Sequence, residues 1–117
     1  MWAVFTGLEL ACSYDFRNVI VECDSLSVVA VLSDLQVAED AGSSLVLAIC
    51  RLLRKFVKFR ITHVYREGNM CADALANFSF CVEDVRTIFV TPPAAVMRFL
   101  FQDEVGVAHP RTVVAQN

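Results

Sequence analysis

The strongest local constraint on the fold is the segment ITHVYREGNMCADALA, residues 61–76, which predicts a strand, a tight turn and a helix. β-Branched and apolar residues alternate with polar ones at its start, as they do in strands. Gly68 permits a positive φ and Asn69 can cap a following helix, which is typical of a turn. Asp73 falls about one turn into that helix, where the helix dipole favours a carboxylate. We therefore expect Asp73 to project back toward the end of the strand.

An earlier segment repeats this order of strand and helix. Residues 18–24 contain a Val-Ile-Val run, which predicts a strand buried on both faces. Ser25 is suited to cap a helix that continues to about residue 35. Asp24 then lies at the carboxyl end of a strand, where open α/β sheets bind their ligands. Spacing alone leaves a plainer alternative open, in which Asp24 helps to cap a helix and Asp73 only complements a helix dipole.

Apolar periodicity predicts three further helices over residues 2–14, 44–56 and 94–101, and a second strand over 57–64. Residues 36–43 are predicted to be a polar connection. The first helix lacks a start signal, which favours a chain that begins inside a helix. We predict one domain over residues 1–80 and a partly disordered C-terminal extension over residues 81–117.

Composition narrows the cellular setting. The apolar fraction is 56%, yet no run approaches the ~18 residues that a membrane span needs. Five cysteines without a C-x-x-C pair fit a reducing compartment, which predicts an intracellular protein, nuclear or cytoplasmic.

Despite a net charge of −3, residues 51–66 contain only cations among their charged side chains. That stripe predicts either a phosphate-binding surface or a solvated helix face beside a buried strand. Its members are Arg51, Arg54, Lys55, Lys58, Arg60 and Arg66.

Several motifs occur together in a recognisable order: GLELA at residues 7–11, VIVECDSLSVV at 19–29, HVYREGNMCADALA at 63–76, and a tail with a proline pair and DExG. In these motifs the chain resembles the plant ribonuclease H-like family, of type 1 ribonuclease H, found in reverse-transcriptase-related proteins of retrotransposon origin. The resemblance implies an α/β ribonuclease H-like fold that lacks its first three strands and starts within its first helix. A truncated gene product, a pseudogene product and a piece of a longer chain all agree with that expectation.

The resemblance also implies a chemistry. Enzymes of this family hydrolyse the RNA strand of RNA–DNA hybrids with two Mg²⁺ ions, which four acidic residues hold. Asp24 matches the third of these acids and Asp73 the fourth, so both are the candidate catalytic and metal-binding residues. The first two acids have no match in the sequence. We therefore expect the chain as written to be impaired or inactive in cleavage.

The implied partner is nucleic acid, either RNA–DNA hybrid or RNA. Asn69 matches an asparagine of the family motif and either contacts substrate or caps the helix. Arg66 either contacts phosphate or pairs with Glu67 or solvent. The predicted nucleic-acid-binding residues are Arg51, Arg54, Lys55, Lys58, Arg66 and Asn69. A non-catalytic RNA- or hybrid-binding module, or a relic interaction domain, is the alternative function.

Overall fold

A computed structural model describes residues 1–78 and 87–106, and the chain divides into two compact units, residues 1–65 and 66–117. The N-terminal unit contains α1 (Trp2–Ser13), β1 (Asn18–Cys23), α2 (Leu26–Leu32), α3 (Leu35–Ala41), α4 (Ser44–Leu53) and β2 (Lys58–His63). The described part of the C-terminal unit contains a short 3-10 helix (Arg66–Gly68), α5 (Met70–Phe78) and α6 (Ala94–Val105). This mixture of helices and strands confirms the predicted α/β class.

The predicted domain boundary near residue 80 lies outside the described residues, and so does the tail that we predicted to be disordered. Both therefore stay predictions. None of the helices within 1–78 and 87–106 is long and apolar enough to cross a membrane.

The sheet consists of β1 and β2, which pair in parallel. The register runs from Asn18 opposite Lys58 to Cys23 opposite His63. The Val64 N–H donates a hydrogen bond of 3.0 Å to the Cys23 carbonyl, which continues the pairing past the end of both strands. Because the strands are parallel, Asp24 and the last residue of β2 lie at the same end of the sheet, the carboxyl end of its strands.

The core of the N-terminal unit lies between helices and one face of this sheet. Its buried residues are Leu8 of α1, Leu32 of α2, Ile49 and Leu53 of α4, and Phe56. Val19, Val21 and Ile61 of the strands pack against that cluster. Along β1 these residues alternate with exposed ones, because successive side chains of a strand point to opposite faces. β2 is exposed at its first three residues and half-buried at its last three.

The prediction that β1 is buried on both faces is wrong. The side chain of Ile20 is 56% exposed, and the strand alternates between exposed and half-buried positions along its whole length. The helices of the N-terminal unit cover the face that carries Val19 and Val21, and the Ile20 face is left open to solvent. A Val-Ile-Val run indicates a strand, but it does not decide how many layers cover that strand.

The predicted polar connection over residues 36–43 is also wrong, since most of it is helical. The Asp34 side chain accepts hydrogen bonds from the Gln36 and Val37 N–H groups at 3.1 and 3.3 Å and starts α3. Two short helices therefore stand where one helix and a loop were expected. Ser25 caps α2 as predicted, because its side chain accepts a hydrogen bond of 3.4 Å from the Val28 N–H.

In the C-terminal unit, α5 packs against α6. Val96 and Phe99 of α6 are buried, and the rings of Phe78 and Phe89 meet edge to face with centroids 5.8 Å apart. The turn before α5 does not use left-handed backbone at Gly68; among the described glycines, positive φ occurs at Gly106, where α6 ends. A 3-10 turn of three residues brings the chain into α5 instead.

Candidate functional site

Asp24 follows β1 directly and is exposed at the carboxyl end of the sheet. The neighbouring strand ends there with His63, which pairs in register with Cys23. The His63 ring meets the Tyr65 ring edge to face, with centroids 5.3 Å apart. The carboxyl end of the sheet thus carries the exposed Asp24 carboxylate, with Glu22 also exposed two residues earlier on β1, and the His63 imidazole packed against an aromatic neighbour. The sequence predicted Asp24 at this carboxyl end of the strand.

Asp73 lies in the first turn of α5, and its N–H donates a 3.1 Å hydrogen bond to the Asn69 carbonyl. Its carboxylate Oδ1 accepts a hydrogen bond of 3.2 Å from Arg66 Nη2, which also makes an ion pair. The Arg66 side chain is 69% exposed and that of Asp73 is 25% exposed. Arg66 therefore has an intramolecular partner that the sequence analysis missed, because seven residues and a turn separate the two charges.

The predicted basic residues that lie on or just after α4 are Arg51, Arg54 and Lys55, and all three are exposed. Arg54 Nε donates to Glu39 Oε1 at 2.7 Å. The Glu39 carboxylate raises the pKa of the Arg54 guanidinium, through their hydrogen bond and its negative charge. Part of the positive charge on this helical surface is thus balanced within the N-terminal unit. Fifteen residues separate Glu39 from Arg54, so sequence spacing offered no signal for the pair.

Lys58 and Arg60 lie on the opposite side of the sheet from α4. Ile61 packs against the helical core, and side chains alternate along a strand, so Lys58 and Arg60 project from the uncovered face. In register they stand beside Asn18 and Ile20 of β1. An open groove of about 560 Å³ follows this end of the sheet. Its lining residues are Asn18, Val19, Ile20, Lys58, Phe59 and Arg60.

The predicted basic stripe is therefore divided between two surfaces of the N-terminal unit. We call them the helical surface, formed by Arg51, Arg54 and Lys55, and the sheet groove, which carries Lys58 and Arg60. Arg66 and Asn69 belong to the C-terminal unit. Lys58 stands beside Asn18, six residues before Asp24. At a rise of about 3.3 Å per residue, the start of the groove and Asp24 are roughly 20 Å apart along the strands.

The amino-acid sequence matches one known protein family over much of its length. A family profile described as reverse transcriptase-like matches residues 1–79, which is more than half of the chain. The chain belongs to the reverse transcriptase-like family of ribonuclease H-type domains. The resemblance seen in the sequence motifs is thereby confirmed.

A curated relative from Arabidopsis thaliana, provisionally named a ribonuclease H protein, is 33% identical to this ribonuclease H-like chain over 114 residues. The alignment covers 97% of the chain but 18% of the relative. The chain thus spans less than a fifth of the length of this relative. No solved structure matches the chain significantly.

Ribonuclease H-like proteins generally use divalent metal ions, and carboxylates are the ligands that Mg²⁺ prefers. Within residues 1–78 and 87–106, no group of three or more His, Cys, Asp or Glu side chains could hold a metal ion. Oδ1 of Asp73 already accepts a hydrogen bond from Arg66, so this carboxylate has a cationic partner within the chain. The described residues therefore do not fit a two-metal centre. Of the two predicted metal-binding residues, Asp24 is exposed and Asp73 is paired with Arg66.

Proposed function

We propose that this ribonuclease H-like chain is a nucleic-acid-binding domain that takes RNA–DNA hybrid or RNA. The observation that carries the proposal is the sheet groove, where Lys58 and Arg60 stand on an exposed face beside Asn18 and Ile20 of β1. Cations on a solvent-accessible strand can contact successive phosphates, and phosphate contacts supply most of the non-specific affinity for nucleic acid. Membership of a ribonuclease H-type family supports the same class of ligand. An intracellular location, nuclear or cytoplasmic, belongs to this proposal.

The activity that family membership suggests is hydrolysis of the RNA strand of RNA–DNA hybrids. We propose that these 117 residues by themselves do not catalyse it. Two of the four acids that the family pattern requires have matches, Asp24 and Asp73, and a two-ion mechanism needs more negative charge than two carboxylates supply. The Arg66 guanidinium further lowers the negative charge available at Asp73.

Binding is tested by fluorescence anisotropy with a labelled 20-base-pair RNA–DNA hybrid over a series of salt concentrations. If Lys58 and Arg60 each neutralise one phosphate, log K falls against log salt with a slope of at least about 1.8 in magnitude. Affinity without salt dependence would contradict phosphate binding. It would instead favour a relic interaction domain, for which the 56% exposure of Ile20 on the same face is the supporting observation.

Cleavage is tested separately, on the same hybrid with Mg²⁺, by gel analysis of the RNA strand. The expected result is intact RNA with the chain and cleaved RNA with an authentic ribonuclease H as the positive control. A longer form that supplies the two unmatched acids, tested with and without Asp73→Asn, would show whether Asp73 serves catalysis in that context. Cleavage by the 117-residue chain that depends on Asp73 would refute the proposed inactivity.

A further inference from the structure

We propose that the amino end of the sheet binds an unpaired segment of a nucleic-acid strand, with a base stacked on the exposed rings of Tyr14 and Phe16 and the adjoining phosphates on the sheet groove. We call these two residues the aromatic pair. The inference rests on the proposed function, because it needs phosphate contacts at the sheet groove. It adds the class of strand that this site prefers, single-stranded over duplex.

The turn between α1 and β1 holds the aromatic pair in place. Asp15 separates its two members and lies in the left-handed region, with a φ of 58°. The Asp15 N–H donates a hydrogen bond of 3.0 Å to the Cys12 carbonyl, and the Phe16 N–H donates one of 3.3 Å to the Ala11 carbonyl. These two bonds form a Schellman motif at the carboxyl end of α1. The backbone that carries both rings is therefore fixed before any ligand binds.

Both rings of the aromatic pair lie side by side at the surface. Their centroids are 6.3 Å apart and their planes are inclined by 34°. Tyr14 is 62% exposed and Phe16 is 61% exposed, so most of each side chain remains in solvent despite this contact. Aromatic side chains stack with any nucleobase, because every base has a π face. The aromatic pair therefore offers an ordered surface on which a base can stack.

The aromatic pair adjoins the amino end of the sheet groove. Phe16 precedes Asn18 by two residues, which span at most about 7 Å, and Asn18 pairs in register with Lys58. The Arg17 carbonyl accepts hydrogen bonds from the Val57 N–H at 2.7 Å and the Lys58 N–H at 3.3 Å. These bonds attach the turn to the start of β2. A strand whose phosphates contact the sheet groove therefore has its next base within reach of the rings.

The charges at this end of the sheet fit a polyanion. Within residues 14–20 and 57–60, the cations Arg17, Lys58 and Arg60 outnumber the single carboxylate, Asp15. In the described part of the chain, neither Arg17 nor Lys58 forms an ion pair. A positive groove that follows the backbone, combined with aromatic side chains that stack the bases, is the arrangement by which proteins bind single strands. A base inside a duplex is covered by its neighbours, so the rings favour an unpaired segment.

The test uses the full chain and fluorescence anisotropy at one salt concentration. Three labelled probes are compared: the blunt 20-base-pair RNA–DNA hybrid, the same hybrid with a six-nucleotide single-stranded RNA extension, and that hybrid with an abasic extension of equal charge. The quantity measured is the gain, the affinity for an extended hybrid divided by that for the blunt one. For wild type we expect the extension with bases to give a gain at least about fivefold larger than the abasic extension, the factor that one stacked base supplies.

Variants of the aromatic pair separate stacking from general apolar contact. Tyr14→Ala combined with Phe16→Ala should reduce the gain to that of the abasic extension. The corresponding double leucine variant keeps apolar surface without a ring and should do the same, whereas Tyr14→Phe should retain the gain. Trp2→Ala is the matched control, because it removes another exposed aromatic side chain from the opposite end of α1 and should leave the gain unchanged. Circular dichroism checks that every variant is folded.

Equal gains from the two extensions in wild type would overturn the inference. So would a gain that the alanine or leucine variant retains, or one that Trp2→Ala lowers as much as they do. In each of these cases, salt-dependent binding of the blunt hybrid would leave the proposed function standing. Failure of all three probes to bind would overturn the proposed function and this inference with it.

Discussion

Replacement of Lys58 and Arg60 by glutamine should remove most of the salt-dependent affinity of this chain for nucleic acid. The two cations occupy same-face positions two residues apart on β2, which places their Cα atoms roughly 7 Å apart. They project from the uncovered side of the sheet into a groove with no carboxylate among its lining residues. On the helical surface, by contrast, Glu39 bonds Arg54 at 2.7 Å. The structure therefore favours the sheet groove as the phosphate-contacting surface.

The magnitude follows from the number of phosphates neutralised, because each releases its condensed counterions. Each neutralised phosphate contributes about 0.9 to the slope of log K against log salt, so two contacts contribute about 1.8. If the binding constants of wild type and the double variant converge at 1 M salt, this slope corresponds to roughly sixtyfold weaker binding at 0.1 M. Exposed side chains away from special features change the free energy of unfolding by less than about 0.5 kcal/mol, so the loss should not reflect unfolding.

The matched control is Arg51→Gln combined with Lys55→Gln, which removes the same charge from the helical surface. Anisotropy with the labelled hybrid at four salt concentrations measures both slopes, and circular dichroism confirms that both proteins are folded. We expect the slope of log K against log salt to fall less than half as much in the control variant as in the sheet-groove variant. If both pairs lower the slope equally, or only the control does, the assignment of binding to the sheet groove is refuted.

Three further predictions concern the N-terminal unit. Leu53→Ala removes a fully buried core side chain and should lower the free energy of unfolding in urea by about 2–5 kcal/mol, whereas Leu26→Ala, 67% exposed, should cost far less. Asp34→Ala deletes the N-cap of α3 and should cost about 0.5–2 kcal/mol in the same assay, with Asp34→Asn close to wild type. Burial, the largest cause, raises the pKa of the Cys50 thiol, so alkylation at pH 8 followed by mass spectrometry should modify half-buried Cys23 before Cys50. The folded state then holds the Cys50 proton more tightly than the unfolded state, so its stabilising contribution should be lost as the pH rises above the ordinary thiol value of roughly 8.5.

Much of the fold was predictable because its signals are local. The helices α1, α4 and α6 and both strands lie within a few residues of their predicted bounds, since apolar periodicity and capping depend on neighbours along the chain. Ser25 caps α2 for the same reason. The break between α2 and α3 also has a local cause, the Asp34 cap. The sequence analysis did not predict this helix start, because Asp34 lies within an uninterrupted stretch of mixed polar and apolar residues.

The candidate site was predictable residue by residue but not as an arrangement. Motif resemblance identified Asp24 and Asp73. The structure locates Asp24 at a strand end and Asp73 in the first turn of a helix, as the sequence indicated. Whether these two acids bind metal stays a prediction. The ion pair of Arg66 with Asp73 could not be read from spacing, because the path of the turn decides which side chains meet.

The sequence by itself determined the α/β class, the family and the identity of the charged residues, because these depend on composition, periodicity and motif order. The tertiary structure alone decided that one sheet face carries exposed Ile20, Lys58 and Arg60 while the other is packed against helices. It also decided that Arg54 and Arg66 have carboxylate partners. The physical reason is that burial and ion pairing depend on which segments meet in space. Neither of two residues distant in sequence indicates that the other will be its contact.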